Sequence, residues 1–177
     1  MPKSSDERPD LHGFRVEVSH ERVRLPNGRE MVLDIVHHPG ASAVVPFASD
    51  DEVLLIRQYR HAAGGTILEV PAGKLDPGDT PASCAARELQ EEAGRRAGRL
   101  EALGSIFTTP GFTDEVIHLF AAFDLEPVPP RPQDDEVIEV VPTPLGRALE
   151  LVWSGELRDA KSALALLHAA HRLGRLR

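Results

Sequence analysis

Three glutamates near the middle of the chain have the spacing of residues on one face of a helix. Glu88, Glu91 and Glu92 lie at i, i+3 and i+4, so their carboxylates would share one stripe of the helix surface. A solvated acidic face is one interpretation of this pattern. The other is a metal site, because three like charges on adjacent turns repel each other and a divalent cation such as Mg²⁺ or Mn²⁺, which prefers oxygen ligands, would neutralise them.

The segments around these glutamates would hold them in place. A helix is predicted from Thr80 to Ala93, with Asp79 as a possible N-cap and Gly94 as its stop. Before it, residues 71–78 (PAGKLDPG) predict a tight loop whose glycines allow backbone carbonyls to approach a metal ion or a phosphate. A strand, a tight loop and an acidic helix in succession are the architecture of a ligand site.

The spacing of these residues resembles the sequence box of the Nudix hydrolases. Gly73, then Asp79 after five residues, then residues 87–94 (RELQEEAG) after seven more match its glycine, its acid and its R-E-x-x-E-E-x-G core. Two positions depart from the family pattern. Asp79 stands where the family usually has Glu, which predicts a small effect on stability, and Arg95 stands where a hydrophobic residue usually closes the box.

Three further segments resemble one subgroup of that family, the ADP-ribose pyrophosphatases and their nucleotide-sugar relatives. They are residues 55–60 (LIRQYR), 68–73 (LEVPAG) and 109–115 (TPGFTDE). The resemblance implies Mg²⁺- or Mn²⁺-dependent hydrolysis of the diphosphate bond of ADP-ribose to AMP and ribose 5-phosphate. Two alternatives stay open: the same chemistry on FAD, NADH or a nucleotide sugar, and a non-catalytic ADP-ribose sensor, which the intact acids of the helix disfavour.

By the same resemblance, the acidic helix binds the catalytic metals. Two or three Mg²⁺ or Mn²⁺ ions would neutralise charge on the phosphoryl oxygens and activate the attacking water. Arg87 is expected to anchor the neighbouring acids rather than to touch substrate. The expected metal ligands are the side chains of Glu88, Glu91 and Glu92 and the backbone carbonyl of Ala72.

The substrate contacts that the resemblance implies come from the flanking segments. Arginine suits a diphosphate because its planar guanidinium donates two hydrogen bonds at once, and Arg60 is favoured over Arg57 for this contact. Glu115 could accept hydrogen bonds from ribose hydroxyls, and Phe112 could either contact substrate or anchor its loop. The predicted substrate-binding residues are Arg57, Arg60, Glu69, Phe112 and Glu115.

The general base is expected among acidic residues. Residues 133–136 (QDDE), before the last strand, occupy the place from which the family often supplies it. Asp135 and Glu136 are preferred over Glu91, although a solvated acidic turn explains the same residues equally well. Distance to the attacking water decides this role, and the sequence does not give that distance.

Strands dominate the first two-thirds of the chain and helices its end. Alternating residues around the turn at Asn27-Gly28 predict an N-terminal hairpin. The element order indicates an α+β protein, and the resemblance specifies the α/β/α sandwich of the Nudix fold, with a mixed sheet. The predicted regions are a disordered N-terminus (1–12), an N-terminal antiparallel β extension (13–38) and a Nudix domain (39–177). Further strands are predicted at 41–47, 53–58, 66–70, 100–107, 116–123 and 137–141, and further helices at 144–153 and 159–173.

Composition limits the partners of the protein. The formal net charge is -8, which argues against binding to nucleic acid or to anionic lipid. Because Cys84 is the only cysteine, and because neither a signal peptide nor an apolar run near the ~20 residues of a membrane span is recognised, a cytoplasmic, soluble protein is expected. The family resemblance further implies a homodimer formed through the N-terminal strands.

Overall fold

Residues 17–131 and 137–176 are described by a computed structural model, and they form a mixed β-sheet with helices on both faces. The strands are β1 (Glu17–Arg24), β2 (Glu30–His37), β3 (Ala41–Ser49), β4 (Glu52–Arg60), β5 (Gly65–Glu69), β6 (Ala72–Lys74), β7 (Arg95–Phe107), β8 (Val116–Pro127) and β9 (Ile138–Pro144). The helices are α1 (Pro81–Ala93), α2 (Leu145–Ser154) and α3 (Ala160–Arg172), with a 3₁₀ turn at His61–Ala63.

The central sheet is mixed because β3 and β8 run parallel while its other strand pairs are antiparallel. The strand order is β5-β4-β3-β8-β7, and β6 and β9 pair with β3 and β4 respectively. One edge of β3 is shared between two partners: β6 pairs with residues 41–43, and β4 pairs only with the far end of β3. This division brings β6 and the following loop against the helix α1.

Two apolar layers lie on opposite faces of the sheet. Val44 and Phe120 belong to the core beneath α1, together with Ala85 and Leu89 of that helix. Their neighbours in sequence point the other way, because side chains alternate along a strand, and they pack under α2 and α3. The α/β/α sandwich with a mixed sheet is therefore confirmed.

Helix α1 begins with a capping box formed by Thr80 and Ser83. The Thr80 hydroxyl accepts a hydrogen bond from the Ser83 amide, and the Ser83 side chain accepts one from the Thr80 amide. The prediction of Asp79 as the N-cap is therefore wrong by one position, because the Asp79 carboxylate accepts from the Asp76 amide and from Arg87. Gly94 ends the helix in the left-handed conformation (φ 60°), as predicted.

Two differences from the predicted strands bear on the site, one in β6 and one at the start of β7. β6 lies inside the segment predicted as loop, since three residues that pair at an edge leave no periodic pattern in the sequence. β7 begins at Arg95, immediately after the helix and five residues before its predicted start. Its first residues include three arginines and a glycine and lack the alternation of polar and apolar side chains that identifies a strand.

The predicted N-terminal hairpin is present as a separate two-stranded sheet. β1 and β2 pair in antiparallel register, and Gly28 in the turn has φ +82°. The predicted disordered N-terminus (1–12) lies outside the described residues, and the domain boundaries stay predictions. None of the helices in the described part of the chain is long and apolar enough to cross a membrane.

Candidate active site

The three predicted metal-binding glutamates occupy one side of α1, but they differ in exposure. Glu88 and Glu92 are each only 3% exposed, whereas Glu91 is partly exposed. The apolar stripe of the same helix, which includes Ala85, Leu89 and Ala93, anchors it to the sheet. A buried carboxylate is costly without polar partners, so the contacts of these side chains define the site.

Strand β6 supplies close backbone contacts to the two buried carboxylates. The Ala72 amide donates a hydrogen bond of 2.8 Å to Glu92 Oε2. At Gly73, a Cβ atom would lie 2.0 Å from Glu88 Oε1, a distance at which atoms overlap. Any Cβ here would force the Glu88 carboxylate out of its present position, which gives a structural reason for the glycine that opens the sequence box.

Arg87 joins the acids of α1 to the loop before the helix. Its Nη1 donates to Glu88 Oε1 at 2.6 Å and to Glu91 Oε2 at 3.2 Å. Its Nη2 donates to the Lys74 carbonyl at 2.9 Å and to Asp79 Oδ2 at 3.1 Å. Partial burial opposes the charge, but the carboxylates of Glu88 and Asp79 keep the pKa of Arg87 above its usual value. Arg87 thus makes the anchoring contacts predicted for it.

The oxygen donors around α1 fit a hard divalent cation in chemical type. Mg²⁺ and Mn²⁺ prefer carboxylate and carbonyl oxygens as ligands. The carboxylates of Glu88 and Glu92 and the backbone of Ala72 lie at the junction of α1 and β6. Within residues 17–131 and 137–176, however, no three His, Cys, Asp or Glu side chains are grouped closely enough to hold a metal ion. One physical reason is that Arg87 already ties the carboxylates of Glu88 and Glu91.

A cavity of about 1020 Å³ opens beside α1 and β6. Arg87, Glu88 and Gly73 contribute to one part of its lining, and Arg60 and Lys161 contribute to another. The lining also includes two exposed aromatic side chains, Tyr59 and Phe107, which are 54% and 67% exposed. His38, Gln58, Thr108, Glu115 and Asp159 are further polar residues of the lining.

Buried Glu69 fixes the cationic part of this lining. Arg60 donates to its two carboxylate oxygens through Nε and Nη2, at 2.9 and 2.8 Å. Lys161 Nζ donates to the same carboxylate at 2.8 Å and to Asp159 at 2.9 Å. Although burial opposes ionisation, the bonds and charges of Arg60 and Lys161 lower the pKa of Glu69. The ionised Glu69 carboxylate therefore holds in place two cationic side chains that face the cavity.

The remaining predicted site residues fall in different places. Glu115 lines the cavity and accepts a hydrogen bond of 2.8 Å from Thr108 Oγ1. Arg57 pairs with Glu139 on the exposed side of β4, and Phe112 is exposed in the β7–β8 loop; neither belongs to the cavity lining. The preferred base candidates, Asp135 and Glu136, lie outside the described residues.

Sequence reasoning missed Lys161 and the polar residue Gln58 beneath the cavity. Lys161 sits in the first turn of α3, where a cation opposes the helix dipole, and this unfavourable placement is the signal that could have identified it. Gln58 is buried, and its Oε1 has no hydrogen-bond partner in the described part of the chain. Its position between Arg57 and Tyr59 gives no comparable signal in the sequence.

Known proteins share this fold and much of this sequence. ADP-ribose pyrophosphatase of Bacillus subtilis (strain 168) is 40% identical over 156 residues, which cover 87% of this chain and 84% of that protein. Methanol dehydrogenase activator of Bacillus methanolicus is 36% identical with the same coverage. GDP-mannose pyrophosphatase of Salmonella arizonae (strain ATCC BAA-731 / CDC346-86 / RSK2980) is 36% identical, with 76% of each chain covered.

A solved structure and a family model agree with these relatives. The crystal structure of an ADP compounds hydrolase superposes with a TM-score of 0.77 at 24% identity and covers 92% of this chain and 98% of its own, which supports the fold. The NUDIX domain model matches residues 36–162, more than half of the chain. The chain therefore belongs to the Nudix family and is one of its pyrophosphohydrolases.

Proposed function

We propose that this chain hydrolyses the diphosphate bond of ADP-ribose, with Mg²⁺ or Mn²⁺, and releases AMP and ribose 5-phosphate. The observation that carries the proposal is the cavity whose lining combines Glu88 of the acidic helix with the cations Arg60 and Lys161. Glu91 and Glu92 of the same helix lie outside that lining. A diphosphate needs its oxygens neutralised and its reacting phosphorus held in place, and such a lining serves both needs. The 40% identity with an ADP-ribose pyrophosphatase over most of both chains favours ADP-ribose as the substrate.

The proposed metal ligands are Glu88, Glu91, Glu92 and the carbonyl of Ala72, for two or three ions. Bound divalent ions would supply charge neutralisation at the phosphoryl oxygens and activation of the attacking water. The chain's own contribution is position: the Ala72 amide holds Glu92, and the absence of a side chain at Gly73 lets Glu88 approach. Glu88 and Glu91 would have to exchange their bonds with Arg87 for bonds to the cation.

For the substrate, Arg60 and Lys161 are proposed to hold the phosphates. Glu69 occupies one edge of the Arg60 guanidinium, through Nε and Nη2, so the other edge can bind a phosphate oxygen. Glu115, at the lining, would accept from ribose hydroxyls. Arg57 and Phe112 lie outside the lining, so their proposed contact needs a ligand that extends beyond the cavity or a second copy of the chain.

The general base is proposed among Glu91, Asp135 and Glu136. Glu91 is partly exposed on α1, and its Oε2 is already engaged by Arg87 Nη1 at 3.2 Å. We therefore expect Asp135→Asn or Glu136→Gln to slow turnover by more than about tenfold, ~1.4 kcal/mol of barrier. If neither variant does, and Glu91→Gln does, then Glu91 is the base.

Two properties of the whole protein complete the proposal: it is a homodimer, and it works in the cytoplasm. Val18, Met31 and Val32 are exposed on the β1–β2 hairpin, and a hairpin with bare apolar side chains gains stability when a second copy covers it. Light scattering should give twice the chain mass, and Val32→Glu should reduce that mass to one chain. A wild-type protein that elutes as a monomer would contradict the dimer.

A nucleotide sugar is the second candidate substrate, because GDP-mannose pyrophosphatases are also among the relatives. The deciding experiment incubates the protein with Mg²⁺ and ADP-ribose, GDP-mannose, UDP-glucose, FAD or NADH, and resolves the products by chromatography. Preferential release of AMP and ribose 5-phosphate from ADP-ribose supports the proposal. Turnover confined to another compound keeps the chemistry and replaces the substrate, whereas a folded but inactive wild-type protein overturns the proposal.

A further inference from the structure

The β1–β2 hairpin is tied to the rest of the described chain at one place, the loop of residues 108–115 between β7 and β8. All hydrogen bonds and ion pairs that leave the hairpin within residues 17–131 and 137–176 end on this loop. The Val36 amide donates to the Phe112 carbonyl at 2.8 Å, and the Asp114 amide donates to the Val36 carbonyl at 3.3 Å. The attachment is therefore local.

Asp114 makes the side-chain part of this attachment with both carboxylate oxygens. Oδ2 lies 2.7 Å from His37 Nδ1, at the end of β2, and Oδ1 accepts a hydrogen bond of 2.8 Å from the His38 amide. Ser19 of β1 lies 2.8 Å from the other ring nitrogen of His37, so the imidazole is held between the hairpin and the loop. One side chain of the loop thus fixes two consecutive residues of the strand end.

The same strand end and loop contribute side chains to the cavity, and two of them directly follow the attached residues. Glu115 follows Asp114 directly, and His38 follows His37; both line the cavity. The Gly40 amide donates to His38 Nδ1 at 3.1 Å, which leaves the ring proton on Nε2, and Nε2 lies 3.5 Å from Glu115 Oε1. A movement of the loop relative to β2 would therefore change the position of the Glu115 carboxylate.

We propose that Asp114 is a positioning residue for substrate binding, which pins the end of β2 to the 108–115 loop and thereby holds Glu115 and His38 at the cavity. The inference rests on the proposed function for the identity of the substrate, ADP-ribose. It assigns the hairpin a role within its own chain, in addition to any contact with a second copy. Asp114 itself does not belong to the cavity lining, so it acts through its neighbours.

The electrostatics of the attachment agree with this role. The hydrogen bond to Asp114 raises the pKa of His37; desolvation opposes the rise, and the charges of Asp114, Glu21 and Glu17 add to it. The His37 bond and the His38 amide lower the pKa of Asp114. The charged pair is thus complete between these two pKa values and weakens as the pH rises through the raised pKa of His37.

The test compares Asp114→Ala with Asp34→Ala. Asp34 pairs with His20 inside the hairpin, so its removal breaks the same kind of pair without touching the loop. We expect Asp114→Ala to raise KM for ADP-ribose about tenfold with kcat changed less than about twofold, and Asp34→Ala to leave both constants unchanged. Asp114→Asn should restore part of KM, since its amide oxygen can still accept from the His38 amide. In a Glu115→Gln background, the KM increase caused by Asp114→Ala should be smaller, since only the effect through His38 remains.

The outcomes separate this inference from the proposed function. An active wild-type protein with unchanged KM in Asp114→Ala, or a KM increase that persists in full in the Glu115→Gln background, overturns the inference alone. A folded wild-type protein that does not hydrolyse ADP-ribose overturns the proposed function. In that case hydrogen exchange decides the attachment: faster exchange of residues 108–115 in Asp114→Ala than in Asp34→Ala supports it, and equal exchange overturns it.

Discussion

Pairs of carboxylates and cations occur in two very different settings in this molecule. Around the cavity, Glu69 is buried and serves both Arg60 and Lys161. In the hairpin, Arg24 and Glu30 form a pair of similar length, 2.7 Å, but both side chains are more than half exposed. Distance alone therefore does not rank these pairs. Burial and the number of shared partners do, because water replaces a lost partner at the surface and cannot do so in the interior.

The largest effect is expected from Glu92→Gln, at a buried carboxylate of the site. The amide keeps the shape of the side chain and can still accept from the Ala72 amide, but it removes the charge proposed to bind metal. We expect turnover of ADP-ribose to fall about a thousandfold, ~4 kcal/mol, with an unchanged melting curve.

Glu150→Gln is the matched control for that variant. Glu150 is an exposed glutamate on α2 that pairs with Arg147 at 3.4 Å, outside the cavity lining. It should keep full activity. Near-normal turnover in a folded Glu92→Gln protein would contradict the metal assignment.

The next effect concerns the space at Gly73. An alanine Cβ there would overlap the Glu88 carboxylate, which must move to make room. We expect Gly73→Ala to lower turnover about a hundredfold through the displaced carboxylate and to cost about 1–3 kcal/mol of stability. Gly146→Ala, at an open position in α2, should change neither quantity adversely. Kinetics and denaturant unfolding of the two variants measure the difference, and equal results would place Glu88 farther from β6.

Removal of the Glu69 charge should have a smaller and pH-dependent effect. Glu69→Gln leaves Arg60 and Lys161 without their shared carboxylate and should lower the free energy of unfolding by about 2 kcal/mol at pH 7. Because the folded protein lowers the pKa of Glu69, its stabilisation is present above the usual carboxyl pKa and is lost as pH falls through the lowered value. The difference in the free energy of unfolding between Glu69→Gln and the wild type should therefore disappear at acidic pH.

The exposed residue Glu139 provides the control for that measurement. It pairs with Arg57 on the strand β4, as Glu69 pairs with Arg60, but both members of this pair face solvent. Glu139→Gln should cost less than about 0.5 kcal/mol at any pH. A gap for Glu69→Gln that stays constant from neutral pH to acid would show that its charge is not the stabilising feature.

The sequence predicted the acidic helix, its stop at Gly94 and most strands, because those features depend on local patterns. The helical spacing of Glu88, Glu91 and Glu92 predicted a shared face, but it left a solvated surface open; the preceding loop and the family resemblance favoured a metal site, which stays a prediction. Lys161 was missed because its contact with Glu69 joins residues 92 positions apart; the local sign, a cation in the first turn of α3, does not identify that partner. Asp79 was misassigned because several polar residues that precede α1 are suitable caps by type. In the structure Thr80 caps the helix, and the Asp79 carboxylate accepts from the Asp76 amide and from Arg87.

The predicted substrate contacts of Arg57 and Phe112 also depend on tertiary structure that the sequence does not give. Arg57 and Arg60 are equally good phosphate ligands by residue type, and alternation along β4 puts them on opposite faces. Which face borders the cavity depends on how the sheet is covered, and that is a property of the whole fold. Asp114 and Glu115 are adjacent acidic residues that the sequence does not distinguish. In the structure Asp114 contacts the end of β2, whereas Glu115 lines the cavity.

The smallest effect is expected in the hairpin, and it directly tests the distinction between buried and exposed ion pairs. Arg24→Ala removes the pair with Glu30 and should lower the free energy of unfolding by less than about 0.5 kcal/mol, because both side chains face water in the single chain. Denaturant unfolding at several protein concentrations makes the measurement. A cost above about 1 kcal/mol at low concentration would contradict the distinction between the two settings. A cost that grows with concentration would instead locate Arg24 at the proposed contact with a second copy, since only association can desolvate a pair that the single chain leaves exposed.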